Sequence, residues 1–87
     1  MPTISAFFGI LIRMYYKEEH GVPHFHAEYQ ERQATFTFGG IMLVGELGSR
    51  TAVRLVREWA TAHTEALEAN WERARRGEPL ERIAPLE

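Results

Sequence analysis

Apolar and polar residues alternate along the first half of the chain and recur at helical spacing along the second. Ile4 to Tyr16 (ISAFFGILIRMYY) is rich in β-branched and aromatic side chains, which suit a pleated strand. Both alternating sets are largely apolar: Phe8, Ile10, Ile12 and Met14 on one side, Phe7, Leu11 and Tyr15 on the other. That is the pattern of a strand buried on both faces. A single helical layer in so small a chain hardly covers two faces, so the second face is expected to meet a partner. Lys17 to Pro23 reads as a loop by composition. A second strand follows over residues 24–30, a connection at Glu31-Arg32, and a half-exposed third strand over 33–38, where QATFTF alternates. Gly39-Gly40 is a turn dipeptide of the kind that tolerates positive φ, and a shorter fourth strand over 41–47 ends at Gly48.

Ser49 then offers a capping oxygen ahead of a long helical pattern. Val53, Val56, Ala60, His63, Leu67, Asn70, Trp71 and Ala74 share one face, while Arg50, Arg54, Arg57, Glu58, Glu65, Glu68, Glu72, Arg75 and Arg76 share the opposite one. The register holds over residues 50–76 without Gly or Pro, so the spacing predicts one helix, roughly 40 Å long. A compact domain of this size has a radius of gyration of only ~12 Å. The helix is therefore expected either to bend near Thr61 to Thr64 or to overhang toward a partner. Gly77 and Pro79 end it, leaving an irregular tail over 77–87. The expected architecture is a single α+β domain over residues 1–87: a four-stranded antiparallel meander with one long, kinkable helix packed on it.

Bulk composition narrows the class without naming a function. Eighty-seven residues with 45% apolar and 25% charged side chains make an ordinary globular domain. No apolar run approaches the ~18 residues of a membrane span, and no basic region precedes Phe7 to Ile12, so neither an anchor nor a signal peptide is expected. A cytoplasmic location is the resulting expectation. The absence of cysteine removes disulfides, thiolate metal sites and cysteine nucleophiles. A net charge of −2 provides no global attraction to phosphate, so any nucleic-acid contact needs a local basic patch.

The richest chemistry lies in His20-Gly-Val-Pro-His24-Phe-His26-Ala-Glu28-Tyr29, which holds three of the four histidines. On a strand, His24 and His26 project from one face about 7 Å apart, with Phe25 on the other. Three chemistries fit the pair. As general acid and base they could cleave RNA without metal, with Arg13, Lys17 or Arg50 as the cation that stabilises the charge building on phosphorus. With Glu28, or with His20 from the loop or His63 from the helix, they could bind a divalent metal such as zinc. As a hydrogen-bonded sheet face they would serve an interface. Arg50, Arg54 and Arg57 form a stripe near the positive end of the helix, either a phosphate dock or a solvated face. Trp59 and Trp71 read as core or interface, and sheet packing suffices for Tyr15, Tyr16 and Tyr29.

The start MPTISAFFGILIRMYY, the segment VPHFHAEY and the run REWATAHTEALEANWERARRGEPLERIAPL together resemble the bacterial domain-of-unknown-function 4160 family. The resemblance runs along nearly the whole chain, with the family's proline-His-Phe-His block matched by Pro23, His24, Phe25 and His26. The family's segment before that proline usually carries an asparagine or aspartate and often a second proline, where this chain has His20, Gly21 and Val22. Members are often encoded beside a second small protein, in pairs that look like toxin–antitoxin modules. The resemblance thus implies a toxin-like component, or one half of a tight complex, with a small antitoxin-like protein as partner. It carries no established catalytic set; His24 and His26 transfer only as positions that match the motif. The combined expectation is a toxin-like ribonuclease, in a homo-oligomer or heterocomplex, that uses His24, His26 and Arg13 without a cofactor. The alternatives are a non-catalytic interaction domain and a histidine-based metal protein.

Overall fold

The computed structural model describes residues 2–16 and 21–87. Five strands, β1 (Thr3–Phe7), β2 (Ile10–Arg13), β3 (His24–Tyr29), β4 (Arg32–Thr37) and β5 (Met42–Gly45), precede two helices, α1 (Arg50–Ala62) and α2 (Thr64–Arg75). The sheet runs in the order β1-β2-β3-β4-β5, antiparallel throughout, so each strand pairs with its neighbour in sequence. The α+β class and the antiparallel meander thus agree with the sequence pattern. Lys17 and His20 lie outside the described residues.

Two expectations are corrected. The single strand expected over residues 4–16 is a hairpin, with Phe8 (φ 48°) and Gly9 (φ 79°) turning the chain between β1 and β2. Consecutive positive φ values are those of a type I′ turn, which matches the twist of two antiparallel strands. The turn is hard to see in the sequence because Phe8 is apolar and occupies a position that glycine or asparagine normally fills. Gln30 (φ 48°) and Glu31 (φ 68°) repeat the geometry between β3 and β4 with no glycine at all. Left-handed backbone costs a side-chain-bearing residue roughly 1–2 kcal/mol. Glu31→Gly is therefore expected to raise the free energy of unfolding by about 0.5–1 kcal/mol, after the extra flexibility of glycine in the unfolded chain is subtracted. Urea titration of both proteins measures it, and a less stable variant would refute the strain.

The single helix expected over residues 50–76 is two, broken at His63 (φ −125°, ψ 28°). No glycine or proline causes the break. The Thr64 hydroxyl donates to the Ala60 carbonyl at 3.1 Å, and the His63 N–H bonds that same carbonyl, also at 3.1 Å. Side-chain back-bonding of this kind competes with the helical ladder and bends it. The bend falls where Thr61 to Thr64 suggested it, and it lets the helical segment fit a body whose longest extent is 34 Å and whose radius of gyration is 11.8 Å.

Helix α1 starts at Ser49, whose Oγ accepts the Ala52 N–H at 3.1 Å. It lies on the sheet face formed by Ile10, Ile12, Phe25, Ala27, Ala34 and Phe36, all buried. Trp59 is fully buried at the centre of this core, packed against Phe7 and edge-on to Phe25. The tail carries no regular element but is tied down: Ile83 N–H donates to the Ile4 carbonyl at 2.7 Å, and the Trp59 indole N–H donates to the Ala84 carbonyl at 2.9 Å. Buried Asn70 acts as a backbone surrogate, donating to the Glu81 carbonyl at 2.8 Å and accepting its N–H at 2.9 Å.

Candidate functional site

Strand alternation places Phe25 and Ala27 against the helical layer and sends His24, His26 and Glu28 to the opposite face. Register then decides their neighbours. Arg13 on β2 and Thr35 on β4 stand directly across from His26, Leu11 and Gln33 flank Glu28, and Thr37 is opposite His24. The three residues expected to act together, His24, His26 and Arg13, are thus brought onto one face, and Glu28 joins them. Among the described residues no helix packs over the centre of this face.

Each member has specific partners. The His24 Nδ1 lies 2.9 Å from the Val22 carbonyl, which can only accept, so Nδ1 carries a proton. In the neutral ring Nε2 then keeps its lone pair, the form that takes a proton. His24 is edge-on to His26 at 5.3 Å between centroids and contacts Trp71 at the same separation. The His26 ring lies parallel to Tyr15, 4.8 Å apart and 4° from coplanar, with Nδ1 3.3 Å from the Thr35 hydroxyl. Its Nε2 is buried. Arg13 gives its guanidinium to Glu28, at 2.7 Å. The cation expected to serve a phosphate is therefore beside the histidines but already holds a carboxylate.

Trp71 from α2 reaches round the end of the sheet, touching His24, Tyr16 and Phe38. One turn further on, Arg75 bonds both carboxylate oxygens of Glu72 at 2.9 Å. That bond, with a smaller contribution from the Tyr16 hydroxyl, holds the guanidinium above its usual pKa. The histidines are consequently set in an aromatic surround of Tyr15, Tyr16 and Trp71. Sequence reasoning assigned these rings to packing; the available signal was that Tyr15 shares the parity of Arg13 along β2 and its extension.

The remaining candidates lie elsewhere. Arg50, Arg54 and Arg57 line a groove of about 940 Å³ between α1 and β5, on the helical side of the sheet, away from the histidine face. Arg54 pairs with Glu58 at 2.9 Å, and Arg57 Nε donates to the Gly40 carbonyl at 2.9 Å. His63 sits at the helix break against Trp59. Among the described residues no three His, Cys, Asp or Glu side chains converge as metal ligands. With Glu28 held by Arg13, the metal reading of His24, His26 and Glu28 needs a donor from outside the described residues, where His20 lies. No described helix is long and apolar enough to cross a membrane.

No curated protein matches this chain, and no solved structure does. A family model does match, over residues 9–72, and that span takes in the histidine strand, its sheet neighbours β2 and β4, the edge strand β5, all of α1 and α2 through Glu72. Since this is well over half the chain, the protein belongs to the family described as a domain of unknown function, DUF4160.

Proposed function

We propose that this chain is the toxin-like component of a bacterial two-protein module, cytoplasmic, and that it cleaves RNA without metal from the histidine face of its sheet. The observation that carries the reading is the setting of His24. Its Nδ1 is fixed by the Val22 carbonyl, its other nitrogen is left as the base, and it stands at the rim of the face, beside Trp71 of α2, where no described helix packs over the centre. In this reaction His24 takes the proton of a ribose 2′-hydroxyl, and the freed oxygen attacks the adjacent phosphorus. The bond to the 5′ oxygen breaks, leaving a 2′,3′-cyclic phosphate and a 5′-hydroxyl. Protonating the leaving oxygen falls to His26, whose ring must turn from Tyr15 and Thr35 to do so. Arg13 stabilises the charge on phosphorus by exchanging Glu28 for the phosphate.

A second reading, a non-catalytic interaction domain in an obligate complex, is favoured by the burial of the His26 Nε2 and by the Arg13–Glu28 pair. Expression of the chain alone separates the two. Catalysis predicts growth arrest, RNA fragments ending in cyclic phosphate, and relief of both by His24→Ala at equal abundance and unchanged melting temperature. Arrest that persists undiminished in His24→Ala would remove catalysis from this site, and no arrest at all would favour the interaction domain.

A further inference from the structure

The two edges of the sheet are treated differently. The outer edge of β1 is closed by the tail, through the Ile83 N–H on the Ile4 carbonyl at 2.7 Å and Arg82 against the Thr3 carbonyl at 3.4 Å. Strand β5 pairs with β4 on its inner side and, among the described residues, has no strand or tail on its outer side. It also lacks the usual protection. The segment Ile41-Met42-Leu43-Val44-Gly45 contains no charge and no proline, and Ile41, Leu43 and Val44 are 64%, 47% and 69% exposed. An unguarded apolar edge offers free backbone groups to another strand.

The ground beside that edge selects what the strand must look like. Side chains of an added strand alternate between the two faces. One set would lie beside Val44, on the face opposite α1. The other would enter the groove of about 940 Å³, whose apolar wall is Met42, Leu47 and Val53 and whose rim is Arg50, Arg54 and Arg57. Glu46 and Glu58 are the acidic lining residues, and each already holds an arginine, Arg32 and Arg54 respectively. Arg50 has no ion pair among the described residues, and the first turn of α1 has no acidic residue to offset its positive helix end. The groove is therefore locally cationic on a chain of net charge −2. A second copy joined β5 to β5 about a two-fold axis would bring two such arginine rims toward one seam, which like charges oppose.

We propose that β5 and this groove seat an extended segment of a second protein, apolar on alternate residues and acidic toward α1, added as a sixth strand. Backbone hydrogen bonds to Leu43–Gly45 supply the register, the exposed Val44 takes the apolar set, and Arg50, which has no ion pair among the described residues, takes a carboxylate at the groove rim. The proposal relies on the two-protein reading for the existence of a partner, and it is independent of whether His24 cleaves RNA.

The test is calorimetric titration of the full chain with the small partner protein that the two-protein reading requires, for wild type, Val44→Arg and Arg50→Glu. Both positions are exposed, and circular dichroism with thermal melting verifies that the variants fold. The expected result is at least about a hundredfold weaker binding for Val44→Arg and about tenfold for Arg50→Glu, with affinity falling as salt rises. Hydrogen exchange should slow at Leu43–Gly45 in the complex. Tight binding that neither variant weakens would overturn the docking site while leaving the two-protein module standing. Absence of any binding would overturn both. Two further results would overturn the proposal in favour of another occupant: a free-chain dimer abolished by Val44→Arg, or a single-stranded 20-nucleotide RNA whose binding Arg50→Glu removes while the partner protein's is unchanged.

Discussion

Trp59→Ala is expected to lower the free energy of unfolding by about 3–5 kcal/mol, which for a domain of this length is a large fraction of a total of roughly 4–13 kcal/mol. The indole is fully buried and joins three parts of the molecule: the β1 edge through Phe7, the sheet centre through Phe25, and the tail through its N–H on the Ala84 carbonyl. Truncation leaves a cavity under the sheet and removes the donor at once. Trp59→Phe divides the effect, since it keeps most of the ring and loses the hydrogen bond. It should cost about 1–2 kcal/mol, dominated by the unsatisfied carbonyl and the smaller ring. Chemical denaturation of the three proteins measures both. A loss below about 1 kcal/mol for Trp59→Ala would mean that α1 is not anchored at this point.

Asn70→Ala is the second large effect, about 2–4 kcal/mol. The side chain satisfies both the N–H and the carbonyl of Glu81 from a buried position, so its removal strips two backbone groups of partners and does not merely delete a favourable contact. Asn70→Asp discriminates this from simple packing. Its shape is nearly the same, but it sets a carboxylate against the Glu81 carbonyl, and it should recover little of the loss. Amide exchange at Ile83 should accelerate in Asn70→Ala, because the strap that holds it against Ile4 is released. Because Trp59 and Asn70 hold the same tail, the double variant should lose less than the sum of the two.

The legible part of this chain was whatever a short-range period encodes. The alternation in VPHFHAEY put His24 and His26 on one face and Phe25 on the other, and the helical face holding Val56, Ala60, Leu67 and Asn70 is buried. The β1–β2 turn was obscured because apolar residues fill both parities there, so that the one turn signal, Gly9, reads as an interruption and not as a boundary. The break at His63 rests on a hydroxyl, Thr64 onto Ala60, in a stretch with no breaker residue. Register was out of reach altogether. Nothing local states that Arg13 meets Glu28, fifteen positions away, or that Tyr15 covers His26. Those pairings, more than the histidines themselves, determine what the face can do.

The strap between Ile83 and Ile4 also orders events during synthesis. Every strand pair of the meander joins neighbours in sequence, so the sheet assembles from short loops soon after its residues emerge. Closure of β1 spans 79 positions, as the Arg82–Thr3 contact does, and must await synthesis of Arg82 and Ile83. Until then, among the described residues, the nascent sheet has two bare edges instead of one. A one-edged unit can at most pair, but a two-edged unit can be extended at both ends without limit. Residues 80–87 thereby act as a chain terminator in the polymer sense, and a product that stops short of Leu80 is expected to grow into open assemblies.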